Sequence, residues 1–411
     1  MGERTLETTA DMRRKSMVSR ISIDLPFLLV VVCLLVFGLM MVYSASWDAS
    51  ILINQPTSYV FSRQVVWVAI ASAVAFVLSQ LDYHKYGRFI VLLMLGMIAI
   101  LLFVLVRGET LFGSTRTLFN GSLQPSELAK LGTIIYLSFW LSNRKDDLKH
   151  LTSGLLPLGL IVGFIGGLIF VQPDLSAAAT ILILGILLFF LAGGDWKQLI
   201  FVFILVGVFG FLLLQMTSTG KVRIAQYLNG LQNPTLGSYH IRRTFEAIIK
   251  GRFFGVGIGE STTKFTGLPL AHSDSIFAVV VEETGLIGGM FVILGYVLLL
   301  WRGIKIAQNA PDQLGSLLAI GLTAWIALEA LMNIAVICGL FPFTGNALPL
   351  LSAGGSSMVT TMAAIGIVMN VSKQGNLLIP EERSVTGATV NLRRRDWRGR
   401  VSRTNRFKDA E

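Results

Sequence analysis

Runs of about twenty apolar residues recur along this chain from Pro26 to Val371, and a run of that length spans the hydrocarbon of a bilayer. Only 14% of the 411 residues are charged, while 53% are hydrophobic. A soluble domain usually carries about 25% charge. No water-soluble surface can be built from so few charges, so the sequence predicts an all-α polytopic membrane protein. The first 25 residues are polar, and the first apolar run lacks a small-residue cleavage site, which makes it an anchor rather than a removable signal.

Ten spans are predicted, at 26–45, 59–80, 89–106, 126–142, 153–171, 176–193, 198–215, 276–301, 314–340 and 354–372. They divide the chain into an N-terminal tail (1–25), a membrane domain (26–372) and a basic C-terminal tail (373–411). Lys and Arg collect in alternate connections: Lys85 and Arg88; Arg144, Lys145 and Lys149; Lys197; Arg302 and Lys305; and ten more from Lys373 to Lys408. Segments 46–58 and 341–353 have none. Charge in short loops sets orientation, so both termini are expected on the cytoplasmic side of a plasma membrane, which needs an even number of spans. The net charge of +10 is thus a topology signal and not a nucleic-acid footprint. Cys33 and Cys338 lie inside apolar runs and suggest neither a metal site nor a disulfide.

Residues 216–275 form one long outer connection with seven Lys and Arg against Glu246, Glu260 and Asp274. Long loops translocate largely regardless of charge. Within it, His240–Lys250 has the spacing of a short amphipathic helix with Ile241, Phe245 and Ile248/Ile249 on one face. Such a cationic element can bind anionic headgroups or frame a site for an anionic, lipid-linked substrate.

Ionisable groups at membrane depth cost at least about 2.5–3.5 kcal/mol each and mark functional candidates. Glu127 and Lys130, three apart after Pro125, can pair on one helix face. Arg116, in the connection before them, can grip a phosphate. Asp174, after Gln172-Pro173, is placed to cap a helix. Asp274 closes the cationic loop beside His272; it suits either an N-cap or a general base whose neighbours tune it. Glu282 and Glu283 follow about two turns into a span, so at least one needs a basic partner or an internal cavity. Gly354-Gly355-Ser356-Ser357 suits close helix packing. No P-loop, zinc-protease motif or nucleophile elbow is present.

In this order the elements resemble the shape, elongation, division and sporulation (SEDS) family of bacterial cell-wall polymerases. The resemblance is carried by Tyr43-Ser44-Ala45-Ser46, Gln124–Lys130, Gln172-Pro173-Asp174-Leu175 and Gly255-Val256-Gly257-Ile258-Gly259. Ser261, Lys264, Leu268-Pro269, Ala271-His272, Asp274, Glu282-Glu283, Gly285, Asn333, Thr344-Gly345, Leu348-Pro349 and Gly354–Ser357 complete it. The resemblance implies an outward-facing peptidoglycan glycosyltransferase that polymerises lipid II, with inversion. It puts the essential aspartate at Asp274, the diphosphate at Arg116, Arg223 and Lys264, and further substrate contacts at His272 and Glu283. Glu127, Lys130 and Asp174 would support the site. A class B penicillin-binding transpeptidase is the implied partner, and some members use a divalent cation, Mg or Mn. Lipid II transport and a non-catalytic scaffold are the alternatives. The end of the first span and the polar tails lean towards the division (FtsW) branch over the elongation (RodA) branch. The chain departs from the family pattern at Thr117, Ser176, Leu270, Ser273, Ser275 and Ala353.

Overall fold

The computed structural model describes residues 23–392, apart from 108, 112–113, 118–123, 145–147, 149, 199, 205–206, 208–209, 211–217 and 234–236. Helices dominate: α1 (Leu25–Ala45), α2 (Trp47–Leu52), α3 (Tyr59–Gln80), α4 (Ile90–Arg107), α5 (Pro125–Ser142), α6 (Leu156–Val171), α7 (Leu175–Leu191), α8 (Ser218–Gln232), α9 (Tyr239–Gly251), α10 (Ile276–Gln308), α11 (Gln313–Ile337) and α12 (Gly355–Leu392). The strands among the described residues are a short antiparallel pair, β1 (Glu109–Leu111) and β2 (Ser114–Thr117), so the helical fold carries one small hairpin.

Among the described residues, six helices are long and apolar enough to cross a membrane: Leu25–Ala45, Tyr59–Gln80, Leu151–Val171, Ile276–Gln308, Gln313–Ile337 and Gly355–Asn376. Two shorter apolar helices, Ile90–Val106 and Leu175–Leu191, and the more polar α5 fall where three further spans are expected. The predicted seventh span, 198–215, is helical over 200–204 and otherwise lies largely outside the described residues.

Local chemistry starts several of these helices. Asp24 accepts from the Phe27 amide at 2.9 Å before α1, and Asp312 from the Gly315 amide at 2.9 Å before α11, each satisfying an orphan donor of a first turn. Glycine lets helices meet closely. A Cβ on Gly38 of α1 would lie 2.5 Å from the Leu350 carbonyl, and one on Gly355 2.6 Å from the Trp67 ring. The Gly354–Ser357 stretch therefore packs, and it also bonds: Gly354 N donates to Gln64 Oε1, and Ser356 Oγ accepts from Gln124 N.

The long connection is more structured than the single helix predicted. It contains both α8 and α9. The buried face of α9 is also not the predicted stripe. His240, Thr244, Ala247 and Gly251 are buried, while Ile249 is 73% exposed. The reason is proximity: a Cβ on Gly251 would strike the Val281 carbonyl of α10, so small residues must face that helix.

Candidate active site

Three buried polar groups gather around the junction of the long connection with α10. The deepest is built by a break in α10 itself. Gly285 takes φ +73°, which interrupts the helix and leaves the carbonyls of Glu282 and Glu283 and the amides of Leu286 and Ile287 without their usual partners. Segment 252–257 fills the gap. Val256 N donates to Glu282 O at 2.9 Å, Gly257 N to Glu283 O at 3.1 Å, and Leu286 N to Arg252 O at 2.9 Å. A Cβ at Gly255 would collide with the backbone at Glu283, and one at Gly285 with the backbone at Phe253; Gly257 and Gly259 are required by their positive φ instead.

Just before the break, Glu282 and Glu283 are 0% and 1% exposed. Glu282 accepts from Ser261 Oγ at 2.5 Å, from the amides of Thr262 (3.1 Å) and Thr263 (3.3 Å), and from the Thr263 hydroxyl. Glu283 Oε1 pairs with Lys264 Nζ at 2.8 Å and accepts from Ser44 Oγ at 2.5 Å. Lys264 also donates to Ser44 Oγ and to the Gly259 carbonyl, both at 2.8 Å. An ammonium has three donors, and these partners use all of them. In this structure Lys264 thus spends its three donors within the protein, and Glu283 is its buried counter-ion.

Asp274 sits in a different setting. The first helical residue is Ile276 and the N-cap is Ser275, so Asp274 is not the cap of α10. Its carbonyl accepts from Asn333 Nδ2 of α11 at 2.9 Å, and the same amide nitrogen donates to Asn346 O at 2.6 Å. Its Oδ1 accepts from Ser273 Oγ at 2.7 Å, and a Cβ on Gly345 would approach Oδ2 to 3.3 Å. Around it, Ser352 Oγ donates to the Ser273 carbonyl and Ala353 N to the His272 carbonyl. Ser275 Oγ donates to Pro269 O at 2.7 Å and lies 2.8 Å from His240 Nε2. That hydroxyl has one proton, so the His240 ring donates through Nε2. Burial pushes the His240 pKa down to about 4 and lowers that of His272, so both rings are neutral at physiological pH.

The third group lies on α5 and its neighbours. Asp174 caps α7 through the Ala177 amide (3.3 Å) and also accepts from Ser176 Oγ, Gln124 Nε2 and Ser126 Oγ at 3.0 Å each. Lys130 pairs with Glu127 at 2.7 Å, as their spacing predicts, and with Glu329 of α11, which the sequence did not single out.

Of the other predicted residues, Arg223 lies on α8 and lines a cavity of about 170 Å³ with Tyr227, Ser238, Ile241, Phe245 and Phe343. Phe343 closes one wall: its ring centroid is 3.9 Å from that of His240, and it also borders Gly345, the residue beside Asp274. Arg116 belongs to β2, and its side chain lies outside the described residues. Among the described residues, no three His, Cys, Asp or Glu side chains are grouped so as to hold a metal ion.

The fold and these sites define a multi-pass membrane protein with a carboxylate fixed by backbone contacts at the end of its long connection. A sequence profile described as "Cell cycle protein", covering FtsW, RodA and SpoVE, matches residues 25–377. Stage V sporulation protein E of Bacillus subtilis is 35% identical over 355 residues, 85% of this chain and 97% of that protein. A probable peptidoglycan glycosyltransferase FtsW of Geobacter sp. (strain M18) is 37% identical over 356 residues, 85% of this chain and 96% of that protein. Among solved structures, a chain from work on the structural coordination of polymerization and crosslinking by a peptidoglycan synthase complex superposes with TM-score 0.70 at 26% identity, covering 86% of this chain and 98% of its own. A mutant of the Thermus thermophilus rod-shape-determining protein RodA gives 0.64 at 26% identity, covering 85% and 97%. The chain belongs to the FtsW/RodA/SpoVE family.

Proposed function

We propose that this protein is a peptidoglycan glycosyltransferase that polymerises lipid II, with Asp274 as its general base. Asp274 takes the proton of the 4-hydroxyl of an incoming lipid II sugar. The oxygen attacks the anomeric carbon of the growing chain with inversion, and the undecaprenyl diphosphate departs. The observation that carries this reading is the seating of Asp274: its main chain is clamped by Asn333, while its carboxylate accepts from Ser273 Oγ and lies against Gly345. A base must keep a fixed place and still reach the reacting hydroxyl.

Charge on the departing diphosphate falls to Arg223 and Arg116, whose forked donors match phosphate oxygens. His272, neutral, is placed to donate or accept at a sugar hydroxyl. A groove of about 330 Å³ between α7, α10 and α11, lined by Leu187, Ile293, Val297 and Leu331, gives an isoprenoid tail an apolar wall. A divalent cation, Mg or Mn, would be carried by the diphosphate, and no step is assigned to it.

In this reading the chain crosses a bacterial plasma membrane ten times, with both tails inside and 216–275 outside. Its partner is a class B penicillin-binding transpeptidase, consistent with a neighbour taken from a peptidoglycan synthase complex. The test is polymerisation of labelled lipid II by the purified protein, with and without that transpeptidase. Glycan strands are expected; none under either condition would favour transport or a scaffold.

A further inference from the structure

We infer that Glu329 is a positioning residue that sets the rotation and depth of α11 so that Asn333 can hold Asp274; the inference rests on the general-base reading above. Trp325, Glu329 and Asn333 follow one another at four-residue intervals on α11 and therefore share one face. The first two meet Lys130 of α5: its ammonium lies 5.7 Å from the Trp325 ring centroid and forms an ion pair with Glu329. Asn333, one turn and about 6 Å further along, bonds both the Asp274 and Asn346 carbonyls. One helix face thus ends in an anchor on α5 and, a turn later, in the clamp on the catalytic segment.

The charge count indicates that this anchor has a specific task. Lys130 is already matched by Glu127 at 2.7 Å on its own helix, so charge neutrality does not call for a second acid. Glu329 is 3% exposed, and a second acid on one ammonium must either leave a net negative charge or take up a proton in a buried cluster, each of which is costly. What it adds is a tether from α5 to α11. The root of α5 is fixed separately, because Gln124 and Ser126 bind the Asp174 cap of α7 and Gln124 N binds Ser356 of α12. Lys130 is therefore a fixed point against which α11 is set. A misplacement of about 1 Å at reacting groups can cost on the order of a hundredfold in rate.

The test uses the full chain in lipid nanodiscs with two readouts. One is amide hydrogen exchange of the peptide spanning 270–276; the other is kcat and KM for lipid II polymerisation with the cognate transpeptidase. Glu329→Leu leaves Lys130 paired with Glu127. It is expected to speed exchange at 270–276 about tenfold and to lower kcat about tenfold, with KM within about twofold. Glu329→Gln, which keeps an oxygen facing Lys130, is expected to recover most of both. Glu127→Leu removes an acid from the same lysine without cutting the tether, and is expected to leave exchange at 270–276 at its wild-type rate. If Glu329→Leu does not fold, Glu329→Asp, one methylene shorter, carries the same test with about a threefold effect. Wild-type exchange and kcat in the Leu or Asp variant, or equal loosening by Glu127→Leu, would overturn the inference. A wild-type protein that makes no glycan would instead overturn the general-base reading, while the exchange data still decide whether Glu329 holds the Asp274 segment.

Discussion

Asp274 and Glu282 lie eight positions apart, yet the two carboxylate settings differ in kind. Glu282 and Glu283 are enclosed and bound by named donors: a lysine with every proton used, three hydroxyls and two amides. Asp274 is 9% exposed; Asn333 holds its main chain, and its carboxylate accepts from Ser273 Oγ beside Gly345. In the first setting, the carboxylates themselves are bound. In the second, the backbone is held and the acid is presented. The second arrangement is the one the general-base proposal needs, because the backbone fixes the acid's place.

This contrast can be broken from either side. The largest effect is expected at Glu283→Ala, which strands the Lys264 ammonium in a dry site and should cost about 3–5 kcal/mol of stability. Thermal unfolding of the purified protein measures it, and Glu283→Gln with Lys264→Met should be far milder. Gly285→Ala forces a side chain onto left-handed backbone and against Phe253. A loss of about 3 kcal/mol is expected in the same assay, the upper end for such strain.

His240 supports the Asp274 segment through Ser275. Its folded pKa of about 4 lies below the ordinary value near 6.5, so between those limits the unfolded chain binds a proton that the folded chain refuses. Stability should be full above pH 6.5 and fall as pH drops towards 4, by about 3 kcal/mol in total. Unfolding temperatures across that range should show the slope for wild type, and His240→Phe should flatten it. The smallest effect is expected at Ser273→Ala, which removes one hydrogen bond to the Asp274 carboxylate and should cost about 1 kcal/mol, with kcat reduced less than tenfold.

Sequence legibility followed the same division. Interactions between near neighbours could be read directly: Glu127 with Lys130, Asp174 as a cap, and the need of Glu282 or Glu283 for a cation. Contacts closed by the fold could not. Nothing local joins Glu329 to Lys130 or Ser44 to Glu283, because each pair meets only after some 200 residues have been packed between them. The glycines of 255–259 were visible as a motif, but the reason for Gly255 lies in the broken helix it packs against. The three acceptors of Lys264 were equally out of reach of local reading, because Ser44 and Glu283 come to it from other parts of the chain. α8 went unread because 218–232 is polar, with no strong apolar stripe. The departures at Ser176, Ser273 and Ser275 acquire a role in the structure. Each hydroxyl makes a hydrogen bond, to Asp174, Asp274 and Pro269 respectively.

The central claim is that the presented carboxylate performs the chemistry. It is tested most directly by comparing lipid II polymerisation by wild type and Asp274→Asn at equal folded concentration with the transpeptidase present. The account predicts glycan strands from wild type and a rate at least about a hundredfold lower from Asp274→Asn, within the range a general base contributes. Strands from Asp274→Asn at a rate near wild type would contradict it.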